Sequence, residues 1–442
     1  MLTRFVTAGS VDDGKSTLIG RLLWDTRAVF EDQIAAVSAV SERRGQSQPD
    51  LSLLTDGLIA EREQGITIDV AYRYFNTARR KFIVADCPGH EQYTRNMVTG
   101  ASNADVAVLL VDARKGLLPQ TRRHAAVCGW LGLKRVILAV NKIDLVDWSE
   151  DRFRQIEKAF REWCAPLGLA EVFCVPVSAL EGDGVVHRGA YLDWYEGPTL
   201  LELLERPLLG ELDGIDDSAL ANAPLRFPVQ WVIRGAADLD PDFRGLAGKI
   251  EAGTVRRGDQ VVVLRDRVGE RAHIAEIRVG EQTLEQASAG RSVTIRLNRE
   301  IDVSRGDLLV AGDAFVDPAA ARATGAAPLS GLSDQLTMQV CWFAQSALRN
   351  GDRLLVKIGT RTVRAEVDLI QARIDVETLK PFTDQPQGAA LQANDLAQVS
   401  FALHEAVFID MAPTGARLGI GSRCLLIDEA TDITVGAGVL RA

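Results

Sequence analysis

The chain has 442 residues, enough for about three domains. Hydrophobic residues make up 47% and charged residues 25%, the balance of a globular protein that keeps its apolar surface inside. The formal net charge of -10 argues against non-specific binding of nucleic acid or of anionic membranes, although a local basic patch can coexist with an acidic total.

The start, Met1 to Phe5, has neither the basic nor the apolar region of a signal peptide. The longest clearly apolar stretch, Ala104 to Val111, contains Asp105 and is too short to span a bilayer. The six cysteines are Cys87, Cys128, Cys164, Cys174, Cys341 and Cys424. They form no C-x-x-C pair and show no zinc-finger spacing to a histidine, so reduced thiols and a cytoplasmic setting are expected.

The first half alternates short apolar runs with helical patterns. Strands are predicted at Thr3–Ala8, Lys81–Ala85, Asp105–Val111, Arg135–Val140 and Val172–Val177. Helices are predicted at Lys15–Leu23, Gln120–Leu131 and Glu150–Trp163. Such alternation implies a mostly parallel sheet with helices on both faces, and a ligand at the carboxyl ends of its strands. From about Asn222 the texture changes to strands broken by Gly and Asp turns: Leu225–Ile233, Gln260–Leu264, His273–Val279 and Arg291–Leu297. That patterning suits small closed β-barrels. Asp317–Gly331 is rich in Ala, Pro and Gly and reads as a linker, and a second β-rich block follows from Ser333. The expected plan is an α/β domain at 1–215, with a mostly parallel sheet and helices on both faces, then β-barrels at 222–315 and 333–442.

The strongest motif is Gly9-Ser10-Val11-Asp12-Asp13-Gly14-Lys15-Ser16, followed by Thr17. It is G-x-x-x-x-G-K-S between a predicted strand and a predicted helix, the context a P-loop requires. Its glycines let backbone N–H groups wrap around phosphates, and the helix N-terminus adds its dipole. Lys15 is expected to reach the β- and γ-phosphates, and the Ser16 hydroxyl to bind Mg²⁺. Asp86-Cys87-Pro88-Gly89 follows the next strand. There Asp86 is expected to hold Mg²⁺ through water, and the Gly89 N–H to sense the γ-phosphate.

Asn141-Lys142-Ile143-Asp144 ends a third strand. The Asp144 carboxylate can accept two hydrogen bonds from guanine, from N1–H and the exocyclic amine, a pair that adenine lacks. Lys142 is expected to lie along the base, and Ser178-Ala179-Leu180 to support it through backbone N–H. Glu63-Gln64-Gly65-Ile66-Thr67 lies between the P-loop and Asp86, where Thr67 can close over Mg²⁺ and open on hydrolysis. His90, directly after Gly89, is placed to orient the attacking water. The other histidines, His124, His187, His273 and His404, are read as surface or core residues.

The P-loop, Gly65-Ile66-Thr67, Asp86-Cys87-Pro88-Gly89-His90 and Arg95-Asn96-Met97-Val98-Thr99-Gly100-Ala101 resemble the translation-factor GTPase superfamily. A narrower resemblance runs through Gly9 to Leu23, Ala60 to Phe75, Asp112-Ala113-Arg114-Lys115-Gly116 and Gln120 to His124. It continues through Phe227 to Gln230, Asp242 to Gly245, Ile301 to Leu308 and Thr434 to Gly438. These runs are similar to the large, GTP-binding subunit of bacterial sulfate adenylyltransferase (CysN type). The resemblance implies a P-loop domain followed by two β-barrels and a hetero-oligomer with a smaller catalytic subunit. That partner makes adenosine 5′-phosphosulfate and pyrophosphate from ATP and sulfate, helped by GTP hydrolysis on the large subunit. GTP and Mg²⁺ are the implied cofactors; no nucleic acid or membrane partner is expected.

The sequence also departs from those relatives. They usually carry a longer N-terminal extension, so contacts made by it are expected to be absent. The chain stops at Ala442, so the fused adenylylsulfate kinase of some relatives is not expected. Phe408–Ser422 lacks the basic, asparagine-containing stretch of the family, and Asp13 stands where translation factors usually carry His or Ser. Two other readings are open: a translation factor carrying aminoacyl-tRNA, and a nucleotide-binding scaffold that no longer hydrolyses GTP. Asp12-Asp13 opposes the first, and the intact set Lys15, Ser16, Thr67, Asp86 and His90 opposes the second.

Overall fold

A computed structural model of the chain describes residues 2–29, 31–43, 49–54, 70–89, 94–102, 104–133, 135–167, 169, 171–208, 220–235, 243–266, 268–312, 332–382, 388–409 and 423–440. It divides into two units. The first is Met1–Leu208 with Ile374–Thr383 and Ala393–Leu396; the second is Leu209–Arg373 with Asp384–Gln392 and Ala397–Ala442.

The first unit is built on a six-stranded sheet of β1 (Leu2–Gly9), β2 (Ala71–Asn76), β3 (Lys81–Asp86), β4 (Val106–Asp112), β5 (Arg135–Asn141) and β6 (Glu171–Pro176). The order is β2-β3-β1-β4-β5-β6, and every pairing is parallel except β2 with β3. β4 and β5 are buried at every position, which is why their sequences are unbroken apolar runs. β2 is a strand that the apolar runs do not announce. As an edge strand it leaves Tyr72 and Tyr74 exposed and buries Phe75, which stacks on Phe82 with ring centroids 4.7 Å apart.

Helices α1 (Lys15–Asp25), α2 (Glu31–Arg43), α3 (Thr94–Ser102), α4 (Pro119–Trp130), α5 (Glu150–Cys164) and α6 (Leu200–Glu205) occur in this unit. α5 shows how pattern becomes packing. It buries Phe153, Ile156, Phe160 and Cys164, one stripe at helical spacing. The Ser149 side chain accepts a hydrogen bond from the Arg152 N–H at its start, with Glu150 and Asp151 in the first turn. The parallel register sets Thr7 beside Asp86, Gly9 beside Leu110 and Asp112 beside Asn141. The strand ends that carry the motifs therefore lie along one edge.

The second unit holds two closed barrels. The first takes β7 (Arg226–Arg234), β8 (Arg244–Lys249), β10 (Gln260–Arg265), β11 (Val268–Val279), β14 (Ser292–Leu297) and β15 (Leu308–Ala311). Its order β10-β15-β7-β8-β14-β11 closes by pairing β11 with β10 around Phe227, Val229, Ile277, Ile295 and Leu309. Short strands β9 (Thr254–Arg256), β12 (Gln282–Leu284) and β13 (Gln286–Ser288) accompany it. The second barrel takes β16 (Leu332–Trp342), β17 (Arg353–Ile358), β18 (Arg361–Ile374), β19 (Leu396–Phe408), β20 (Arg423–Asp428) and β21 (Thr434–Leu440). Its order is β16-β19-β18-β17-β20-β21, and it packs Met338, Val340, Val356, Phe401 and Leu426 inside. Closure removes the exposed sheet edges that open β-sheets must protect. Among the described residues, no helix is long and apolar enough to cross a membrane.

Candidate nucleotide site

The P-loop leaves β1 at Gly9 and enters α1 at Lys15. Gly14 takes φ +90°, and a Cβ there would run into the Asn141 Nδ2, so the tight turn needs glycine. Gly14 is also the N-cap of α1, with no side-chain hydrogen bond and no acid in the first turn. The helix thus presents a positive end and amides that no described side chain claims, a setting for an anion. Lys15 is 7% exposed, and its Nζ donates to Gly9 O at 3.0 Å and Ser10 O at 2.7 Å. Burial pulls its ammonium below the ordinary lysine value, against the nearby charges of Asp86 and Asp13. An incoming phosphate would add to the counter-charge around this buried cation.

Asp13 is buried beneath the loop, where its carboxylate accepts the Ser10 N–H at 2.7 Å. Burial raises its pKa, an effect that the Ser10 hydrogen bond and the Lys15 charge oppose. Asp12 stands exposed at φ +66°. Val11, Ser16 and Thr17 are half-buried.

The Asp86 motif closes on the same point. Asp86 is 2% exposed and accepts a hydrogen bond from Thr7 Oγ1 at 3.1 Å. A Cβ built on Gly89 would fall 2.5 Å from Lys15 Nζ and 2.7 Å from Gly9 O, so only glycine lets this segment approach the P-loop. Pro88 is buried, and Cys87 turns into the core, its Sγ 3.7 Å from Asn96 O. Among the described residues no cluster of three His, Cys, Asp or Glu side chains could cage a metal. One hydroxyl, Ser16, and one carboxylate, Asp86, instead match what Mg²⁺ takes when phosphates and waters complete its shell.

Asn141 joins three loops. Its Nδ2 donates to Asp13 O at 2.7 Å, and its Oδ1 accepts the Ala179 N–H at 2.9 Å. Lys142, at φ +59°, donates from Nζ to Asp12 O and lies 3.3 Å from Asp112 Oδ2. Its stem therefore crosses from the third motif to the P-loop. Ile143 is fully buried, which leaves Asp144 half-buried and without a side-chain hydrogen bond to any described residue. The Ser178 N–H donates to Asp183 O at 2.9 Å, and the Ala179 N–H is taken by Asn141. Of the three loop amides expected to support the base, that of Leu180 alone has no described acceptor.

Asp112 fixes the floor between these loops. Burial would raise its pKa, but hydrogen bonds from Arg114 at 2.6–3.0 Å and from Lys142 outweigh that and hold the carboxyl well below the usual range. Nearby, His124 is 1% exposed, and burial pushes its pKa down to about 3, with Lys15 and Arg123 adding to the effect. Its Nε2 lies 2.8 Å from Gln120 Nε2. It is a neutral core histidine. Thr67 and His90 lie outside the described residues.

A family model described as the elongation factor Tu GTP binding domain matches residues 2–212, and one described as the GTP-eEF1A C-terminal domain-like family matches 335–441. Sulfate adenylyltransferase subunit 1 of Vibrio cholerae serotype O1 is 45% identical over 445 residues, covering 100% of this chain and 86% of the relative. The chain belongs to the sulfate adenylyltransferase subunit 1 family. The subunit 1 of Cellvibrio japonicus is 43% identical, over 99% of this chain and 86% of its own length. The bifunctional enzyme CysN/CysC of Xylella fastidiosa is 47% identical, over 99% of this chain and 65% of its own length.

In this member of the subunit 1 family, the structure brings together the P-loop, Asp86–Gly89, Asn141–Asp144 and Ser178–Leu180. It adds residues to which sequence reasoning assigned no role. Asp112 stood inside a run noted only for its resemblance. Arg21 too stood inside such a run, and neither it nor Thr7 announces its partner locally, because those partners lie 158 and 79 residues away.

Proposed function

We propose that this chain is the GTP-hydrolysing subunit of a sulfate adenylyltransferase, working with a smaller subunit that joins ATP and sulfate into adenosine 5′-phosphosulfate and pyrophosphate. The observation that carries the nucleotide reading is the convergence of Lys15 and Gly89 at the positive end of α1, beside Asn141 and an Asp144 carboxylate that accepts no hydrogen bond from a described residue. Lys15 and the P-loop amides neutralise the β- and γ-phosphates. Ser16, Asp86 and Thr67 would hold Mg²⁺, which would supply further positive charge beside those phosphates. The Gly89 N–H meets the γ-phosphate, and His90 orients the attacking water.

Asp144 takes the guanine N1–H and amine. Two charge-assisted bonds of about 1.5–3 kcal/mol each suffice to exclude adenine nucleotides. Making a phosphosulfate anhydride is uphill, so GTP and GDP states must bias the partner differently for hydrolysis to help. The GTPase domain is taken as 1–215 and the barrels as 222–315 and 333–442. A cytoplasmic location fits the six cysteines, all free and buried.

The test is pyrophosphate release from ATP and sulfate by this chain with the small subunit of the same organism, with and without GTP. GTP-stimulated release that is lost with Lys15→Ala supports the reading. GTP hydrolysis with no complex and no effect on pyrophosphate rejects the sulfate role.

A further inference from the structure

Arg21 lies two turns into α1, its side chain 17% exposed, and reaches across to the loop after β6. Its Nε donates to Ala179 O at 3.3 Å and its Nη2 to Leu180 O. Nη1 lies 3.5 Å from Asp25 Oδ1, one turn further along the helix. The loop then folds back over the arginine: Gly182, at φ +97°, would place a Cβ 3.5 Å from Arg21 Cδ. A single side chain thus ties the helix that begins at the phosphate loop to the loop expected beside the base.

The consequence follows from peptide geometry. The Ala179 C=O and the Leu180 N–H belong to one planar trans peptide and point in opposite directions. Anchoring the C=O on Arg21 therefore turns the Leu180 N–H away from α1. The preceding peptide is held as well, because its Ala179 N–H is bound to Asn141 Oδ1 at 2.9 Å. Arg21 also holds the next carbonyl, Leu180 O, so the loop is pinned on both sides of the one amide without a described acceptor.

We propose that Arg21 is a positioning residue for guanine recognition: it aims the Leu180 N–H at the 6-oxo group of the base. This rests on the guanine reading of Asn141–Asp144. It separates two halves of specificity. Asp144 reads N1–H and the 2-amino group, and the loop held by Arg21 reads the oxygen at C6.

The experiment measures the affinities of the full-length chain for GDP, IDP and 6-thio-GDP, in wild type, Arg21→Ala and Arg21→Gln. IDP lacks the 2-amino group; 6-thio-GDP replaces only the C6 oxygen, with a poorer acceptor. Arg21→Ala weakens GDP about tenfold, the scale of one well-made hydrogen bond. It weakens 6-thio-GDP much less, so the preference for oxygen over sulfur collapses. The preference for GDP over IDP persists, and Arg21→Gln, which keeps a donor on a shorter stem, recovers part of the loss. Equal weakening of all three nucleotides, or none, overturns the proposal. If Arg21→Ala does not fold, Arg21→Met, which keeps the apolar stem and removes every donor, carries the same comparison. A wild-type chain that binds ADP as well as GDP would instead reject the guanine reading beneath it.

Discussion

Strand β5 begins with Arg135 and ends with Asn141, and the two ends of the sheet treat buried polar groups in opposite ways. Arg135 is fully buried and fully engaged. Its guanidinium donates to Glu171 at 2.9 Å, Leu203 O at 2.7 Å, Arg206 O at 2.9 Å and Pro207 O at 2.8 Å. At the other end Lys15 is also buried, yet among the described residues its hydrogen bonds go only to carbonyls of its own loop, and burial pulls it towards its neutral form against the charges of Asp86 and Asp13. A closed, satisfied end anchors the fold. An open, under-satisfied end stores the demand that a ligand meets, and such sites commonly cost stability.

That contrast can be broken first at Lys15. Lys15→Met is expected to abolish measurable GTP binding, since the charged bonds it loses carry about 3 kcal/mol or more in total. The same change should leave the nucleotide-free melting temperature unchanged or higher, because an apolar side chain suits the burial better. A clear drop in melting temperature would refute the view that Lys15 is held at a cost. Arg135→Met should do the reverse. It strands the Glu171 carboxylate and three carbonyls, at about 3–5 kcal/mol in denaturant unfolding, while GTP affinity of the folded fraction stays near wild type. An unchanged denaturation midpoint would remove Arg135 as the anchor.

Smaller effects sharpen the same comparison. Asp144→Asn should cost GTP about 2–3 kcal/mol of binding and favour xanthine nucleotides, with no loss of fold. Retained guanine selectivity in competition binding would take Asp144 out of base recognition. The smallest effect is the pH response of His124, buried behind Lys15. Its folded pKa of about 3 lies below the unfolded value of 6.5, so only the unfolded chain takes up the proton between those values. Stability is therefore full above pH 6.5 and falls as pH drops below it, by about 2 kcal/mol on reaching pH 5. His124→Gln should flatten the unfolding free energy across that window. An equally steep slope in the variant would assign the response elsewhere.

Much of the site was legible because phosphate and base recognition rest on short, ordered peptides. Gly14 before Lys15, Gly89 after Asp86, and Asp144 after Asn141 each announce their geometry within a few residues. The buried strands were legible for a similar reason, since burial on both faces demands an apolar run. The edge strand Ala71–Asn76 escaped, because with one face in water it alternates exposed tyrosines with inward positions.

The sequence alone determined the kinds of element, the order of the motifs and the chemistry each can perform, because those depend on neighbours in the chain. Only the tertiary structure decided that Gly89 would close on Lys15, and that Thr7 would hold Asp86. It also decided that Asn141 would bridge Asp13 to Ala179, and that Arg21 would grip the Ser178–Leu180 loop. These contacts join residues brought together by the parallel sheet order, and no local pattern encodes a partner that far along the chain.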